Sequence, residues 1–269
     1  STTARTDGKR LIRLNADGSP DTAFNNNVMV YGGNVLAIAV QPADQKILVA
    51  GAFSFFFDGF SRNRIVRLNP DGTLDSSFFA DVNSTINALA LQADGNILIG
   101  GAFTTVNSTG RNRVARLNAS GTLDASFNPA GGPDGTVFAI ALTRDGSNQI
   151  VIGGAFNNVA GTSSARLARL TSAGVLDPLT AIGTGFNGSV NDVACQVDGK
   201  IIVTGIFSSL NGVLTTGGVS VSGMVRLTTT GAVDTTFAIG TALNNTGLAL
   251  ALYQTTTVDD TVLVGGVFT

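Results

Sequence analysis

The stretch from Ile86 to Phe127, INALALQADGNILIGGAFTTVNSTGRNRVARLNASGTLDASF, recurs in pieces and in order along the 269-residue chain. Its first half is an apolar run, a polar turn, a second apolar run and then Gly-Gly-x-Phe or a close variant. Copies occupy Val35–Phe53, Ile86–Phe103, Val137–Phe156, Val190–Phe207 and Gly247–Phe268. Its second half is Arg-Leu-Asn/Thr, a turn, Leu-Asp and usually Phe, with Arg at 13, 67, 116, 169 and 226. The spacings between those Arg residues are 54, 49, 53 and 57. A period of about fifty residues is that of propeller blades and solenoid units, each unable to bury its own apolar faces without neighbours.

Each half reads as a β-hairpin. The runs are rich in Val, Ile, Leu, Ala and Phe, and Asp-Gly pairs such as Asp94-Gly95 and Asp71-Gly72 supply the positive φ of tight turns. The first run is two-sided. Leu89 and Leu91, or Ile140 and Leu142, are large on one face, while Ala39, Ala90, Ala141, Ala194 and Ala251 hold one small position in all five copies. A strand buried on both faces loses polar alternation, and a small face admits the large face of the next sheet. The expectation is an all-β chain, a β-propeller of five four-stranded blades forming one domain over 1–269.

The chain starts with a second half that lacks its first, and ends with a first half that lacks its second. We expect Gly247–Phe268 to pair with Lys9–Phe24, so that the last blade is shared between 1–24 and 247–269 and the ring closes. The alternative is an open piece of a longer array.

Composition narrows the function. All 18 acids are Asp and 13 of the 16 bases are Arg, with no His and no Trp. Without Glu, and with 34 Gly, substantial helix is not expected. A net charge of -2 makes no electrostatic case for nucleic acid or an anionic membrane. Apolar runs stop near six residues, far below the roughly twenty needed to span a bilayer. The single Cys195 aligns with Val40, Leu91, Leu142 and Leu252, so it reads as a buried apolar substitute and excludes an internal disulfide.

The repeats resemble the delta-60 repeat, a bacterial repeat family of the form L-x-x-DGKI-(V/L)-x-GG-x-F…R-x-R(L/V)-x-R-LN-x-DGSLD-x-SF. The likeness is closest at Ile86–Phe127 and Ile47–Phe78. It departs most at Val193–Cys195 and Asp177-Pro178-Leu179-Thr180. The resemblance implies a β-propeller in a secreted or surface-associated bacterial protein. It brings no catalytic residues.

The charged pair present in every copy is Arg13/Asp21, Arg67/Asp75, Arg116/Asp124, Arg169/Asp177 and Arg226/Asp234, each separated by eight residues. That spacing places the two opposite each other across a hairpin. They read either as a ring of carboxylate ligands or as bidentate pairs fixing each blade, and repetition in every unit favours the second. The turns NADGSPD and NPDGTLD look like calcium loops, but NASGTLD, TSAGVLD and TTTGAVD lose most of the oxygens calcium wants. No metal and no cofactor are expected.

With no His or Glu, acid–base chemistry would fall to Asp, Tyr31, Tyr253, Lys or Cys195. Two carboxylates would suffice for a glycoside hydrolase, yet only Asp192 stands out, replacing the Ala of the other copies (Ala37, Ala88, Ala139, Ala249). No enzyme is therefore expected. The non-repeated features are the inter-strand stretch SFFFDGFSRN at 54–63, with surplus Phe55, Phe57 and Phe60, and the long loop Ser208–Gly223. Exposed aromatics mark partner surfaces. The expected role is that of a structural or adhesive surface module binding a protein partner or its own copies. A carbohydrate-binding propeller is the alternative.

Overall fold

The computed structural model describes residues 10–57, 60–177, 179, 182–239, 243, 245–253 and 261–268, with the side chains of 55–57 and 60 set aside. The chain divides into two compact units. The first comprises Ser1–Arg111 and Ala115–Asp124; the second comprises Asn112–Val114 and Ala125–Thr269.

The first unit opens with a single turn of helix, α1 (Thr22–Asn27), capped by Asp21, whose carboxylate accepts the Phe24 N–H. There follow β1 (Val35–Val40), β2 (Ile47–Phe57) and β3 (Phe60–Leu68), in the order β1-β2-β3. A second sheet has β4 (Ile86–Leu91), β5 (Ile97–Gly101) and, beyond the small hairpin β6 (Thr105–Val106) and β7 (Thr109–Gly110), β8 (Val114–Leu117), in the order β4-β5-β8.

The second unit repeats this plan. β9 (Val137–Leu142), β10 (Ile150–Gly154), the hairpin β11 (Asn158–Val159) and β12 (Thr162–Ser163), β13 (Leu167–Leu170) and β14 (Leu176–Asp177) give a sheet ordered β14-β13-β10-β9. Next come β15 (Val190–Cys195), β16 (Ile201–Gly205), the hairpin β17 (Thr215–Thr216) and β18 (Val219–Ser220), and β19 (Met224–Leu227), ordered β15-β16-β19. The last pair is β20 (Gly247–Tyr253) and β21 (Thr261–Gly266). All strand pairings are antiparallel, and no helix among the described residues is long and apolar enough to cross a membrane.

The Gly-Gly-x-Phe signature has a steric origin. In every copy the first and second strands carry a bulge at one place, as between Ile86 and Ala88. There the second glycine lies under the carbonyl that precedes the first strand. A Cβ on Gly101 would sit 2.1 Å from the Thr85 oxygen, and one on Gly205 2.1 Å from that of Ser189. The Phe that follows fills the core: Phe53, Phe103, Phe156 and Phe207 are all buried.

The two-sided first strand also performs as packing. In the first unit Ala37 and Ala39 meet the cluster built on Ile86, Ile97 and Ile99, with Leu89 and Leu91 on its margin. In the second, Ala139 and Ala141 meet Val190, Val193 and Cys195, and Ile202 in turn meets Leu250, Leu252, Val262 and Val264. Within each unit, the small side of one sheet is covered by the large side of the sheet that follows.

Four-stranded blades are not the rule. Among the described residues only β14 forms a fourth strand; elsewhere it shrinks to single bridges, Leu14–Pro20, Leu68–Leu74, Leu117–Leu123 and Leu227–Val233. The cause is local, because the Asp after that bridge turns the chain out of the sheet by accepting from residues two positions on, as Asp75 does from the N–H and hydroxyl of Ser77. The described residues of the stretch 54–63 are likewise no loop. They lengthen β2 and β3, pairing Ser54 with Asn63 and Phe57 with Phe60. The expected sharing of a blade with 1–24 falls partly on residues outside the described set, as do Pro178 and Thr180 of the divergent fourth repeat.

Candidate functional site

Every Arg of the second half donates its Nε to the Asp eight residues on. The distances are 2.9 Å for Arg13–Asp21, 2.7 Å for Arg67–Asp75 and Arg116–Asp124, and 2.9 Å for Arg169–Asp177 and Arg226–Asp234. The pair is one arm of a longer clamp. Arg67 Nη1 donates to the Ala119 carbonyl at 2.6 Å, Arg13 Nη1 to that of Pro70 at 2.7 Å, and Arg169 Nη1 to that of Thr229 at 2.5 Å. Each acceptor lies in the turn of the following repeat, so one guanidinium ties its own hairpin to the next. Arg13, Arg67 and Arg226 also lie over Phe24, Phe78 and Phe237.

The carboxylates have a further donor that spacing did not reveal. The residue just before the second strand reaches the Asp in three copies: Lys46 to Asp75 at 2.9 Å, Lys200 to Asp234 at 3.4 Å, and Gln149 to Asp177. Burial alone would raise the Asp75 carboxyl, but hydrogen bonds from Ser77, Lys46 and Arg67 outweigh it and hold Asp75 far below the usual carboxylate range. Thr236, followed by Arg226 and Lys200, brings Asp234 down to about 2. These groups stay ionised and committed to structure. Asp17 and Asp71 of the calcium-like turns accept from the backbone and hydroxyl groups of Ser19 and Thr73.

Three arginines were not singled out by sequence. Arg64, at the irregularity within β3, and Arg113 and Arg166, just before β8 and β13, have positive φ of 67°, 63° and 72°, where the fourth repeat has Gly223 at 72°. Arg64 Nη1 donates to the Ala52 carbonyl and Arg166 Nη1 to that of Ala155. Left-handed backbone at a non-glycine residue leaves no signature in composition or period; the Gly223 copy was the one available hint.

Two surfaces break the repetition. In the first unit, the hairpin of β2 and β3 extends through Phe55, Phe57 and Phe60, whose backbone pairs as strand; their side chains lie outside the described residues. In the second unit, Ser208–Gly223 folds as β17 and β18 around Gly217-Gly218 and leaves Val213 and Leu214 exposed. The equivalent hairpins in the second and third repeats bury their one apolar residue, Val106 and Val159.

Asp192 is a half-buried bridge between sheets. One carboxylate oxygen accepts from its neighbour's N–H, that of Val193, and the other accepts from the Leu250 N–H of β20 at 2.7 Å. Asn191 adds a bond to the Gly247 carbonyl. Burial pushes the Asp192 carboxyl up against these two donors. Burial also pushes the thiol of Cys195, three residues on, up to about 12. Among the described residues no cluster of His, Cys, Asp or Glu is arranged to hold a metal.

Stacked antiparallel sheets of one repeating plan, joined by an arginine clamp, define a protein of the β-propeller type. The chain belongs to the family described as "Domain of unknown function (DUF5122) beta-propeller", whose model matches residues 4–24, 43–78, 92–127, 145–179 and 196–237. No curated protein matches it in sequence. Among solved structures it is similar to a gluconolactonase from Xanthomonas campestris, at 16% identity over 91% of this chain and 72% of that one, with a TM-score of 0.49. It is similar also to a streptogramin B lyase, at 16% identity over 82% and 59% with a TM-score of 0.44. A third likeness is to the WD40 beta propeller domain of Doa1, at 18% identity over 65% and 49% with a TM-score of 0.44. The chain thus spans about half the length of that WD40 domain.

The expectation of no enzymatic activity is corrected by these matches, which include a lactonase and a lyase. It rested on the absence of His and Glu and on the lack of a non-repeated Asp pair, and a fold does not fix a function.

Proposed function

We propose that this chain is an interaction module: a structural or adhesive propeller of a bacterial surface or secreted assembly that holds a protein partner through its projecting hairpins. Within its family we group its repeats with the delta-60 repeat and count five blade units. The observation that carries the reading is the exposed Val213–Leu214 pair, which has no counterpart on the equivalent hairpins of the second and third repeats. The surplus Phe55, Phe57 and Phe60 on the extended β2–β3 hairpin support it from the sequence. Rigid sheets with variable projections are where binding concentrates, and exposed apolar side chains on such projections are the usual anchors.

The test is binding of the labelled chain to isolated bacterial cell envelopes. Leu214→Ser and the double variant Phe55→Ser/Phe57→Ser should each weaken retention at least about tenfold, the loss of one apolar anchor, with an unchanged circular dichroism spectrum. Retention equal to wild type in both variants refutes the site. Glycan-array binding unaffected by either variant supports the carbohydrate reading instead.

A further inference from the structure

Asp192 stands where the other four copies have Ala, and its carboxylate shows what the first strands can hold. One oxygen accepts the Val193 N–H at 2.8 Å and the other the Leu250 N–H at 2.7 Å. Val193 and Leu250 hold the same position in β15 and β20, so one carboxylate joins equivalent N–H groups of two successive first strands. The strand pairing makes these groups available. Bonded and non-bonded residues alternate along an antiparallel pair. Gln196 donates to the Lys200 carbonyl, so Ala194 turns its N–H toward β16 and Val193 turns its own off the sheet edge.

In the first unit the same two groups occur without the carboxylate. Gln41 donates to the Lys46 carbonyl, so Ala39 faces β2 and Ile38 directs its N–H off the edge. Gln92 donates to the Asn96 carbonyl, so Leu89 does likewise on β4. Among the described residues β1 and β4 each end their sheet, so that edge has no partner strand. Their sheets pack in the order of the fourth and fifth: Ala37 and Ala39 meet the cluster that carries Leu89 and Leu91, as Ile202 meets Leu250 and Leu252. Ala37 therefore stands in the corner that Asp192 fills in the fourth repeat, with a side chain shorter by one carboxylate.

We propose that the Ile38 and Leu89 N–H groups form a site for the carboxylate of a ligand, and that Asp192 is the chain's own occupant of the equivalent site. Converging N–H groups at a sheet edge attract anions, and hydrogen bonds to a charged oxygen are shorter and stronger than those between neutral groups. The fourth repeat sets the chemistry of the ligand. Asp192 uses both oxygens, one for each strand, so the group that takes its place is a planar, two-oxygen anion rather than a single ion such as chloride. A small organic acid and an acidic side chain of a protein partner both carry that group. The site uses none of the projecting hairpins and goes beyond the interaction role proposed for them.

The experiment is a titration of the full chain with sodium acetate, followed through its backbone amide resonances, with sodium chloride at equal ionic strength as the reference. Acetate should move the Ile38 and Leu89 amides downfield to saturation and leave Ala39, bonded to β2, in place. Ala37→Asp should abolish that response, and Asp192→Ala should add Val193 and Leu250 to the amides that respond. Aspartate blocked at both backbone ends is the second probe. Saturation at a lower concentration than acetate assigns the site to an acidic side chain, the reverse to a free acid, and both support the carboxylate. A wild-type chain whose Ile38 and Leu89 amides do not move, or move equally with chloride, overturns the inference. So does a response that persists in folded Ala37→Asp, or a folded Asp192→Ala that gains none. Should either variant fail to fold, the wild-type titration decides alone.

Discussion

The clamp makes its sharpest prediction where burial differs between two copies of the same motif. Arg67 and Asp75 expose 7% and 8% of their side chains, while Arg13 of the Arg13–Asp21 pair exposes 42%. Removing one partner from a buried pair costs about 3–5 kcal/mol, because a charge is left uncompensated. Exposed pairs contribute about 0–1 kcal/mol. In Arg67→Met the Lys46 amine stays 2.9 Å from Asp75, which moderates the loss, while the Ala119 carbonyl loses its donor. The expected cost is the lower end of that range, about 3 kcal/mol, or roughly a hundredfold in the unfolding constant. Arg13→Met should cost less than about 1 kcal/mol. Urea unfolding followed by far-ultraviolet circular dichroism measures both, and an unchanged m-value licenses the comparison. Equal losses, or a loss for Arg67→Met below that of Arg13→Met, would refute the clamp as a buried link between repeats.

Three further predictions follow from the same geometry. Asp75 and Asp234 have folded carboxyl pKa values below their unfolded ones, so the unfolded chain binds more protons as pH falls. Their stabilisation is complete above about pH 4 and is lost as pH drops toward 2; an acid titration of stability should show this slope, reduced in Asp234→Asn. Gly121 has φ +89° and its Cβ would lie 2.4 Å from the Phe79 oxygen, whereas Gly95 at φ +84° has nothing within 4 Å. Gly95→Ala should cost about 1–2 kcal/mol for backbone alone, and Gly121→Ala a further 1–3 kcal/mol or so for the clash, read as midpoint shifts in urea. Cys195, with its thiol pushed up to about 12, should resist iodoacetamide at pH 8 in the folded chain and react once urea unfolds it.

Much of this architecture was legible because it is periodic. The eight-residue interval between Arg67 and Asp75 announced a cross-hairpin contact, and the invariant Ala39, Ala90 and Ala141 announced a sheet with a small face. The second glycine of Gly-Gly-x-Phe was visible as a motif, though its cause, a carbonyl 2.1 Å from a would-be Cβ on Gly101, needed coordinates. What stayed hidden was non-local or conformational. The bond from Arg67 to Ala119 spans 52 residues and ends on a backbone atom that any residue type supplies. The left-handed Arg64 and Arg113 look like ordinary cations in the sequence. Fourth strands were overcounted because Leu-Asp after a turn reads as strand, while the Asp side chain in fact leads the chain out of the sheet.

The central claim is that rigid repeats present function on the projections that break the repetition. It is tested most directly by exchanging Ser208–Gly223 for residues 104–113, the shorter equivalent from the second repeat, and measuring retention on cell envelopes. The account predicts a chain that unfolds like wild type and no longer binds. Binding at the wild-type level by the exchanged chain would contradict it.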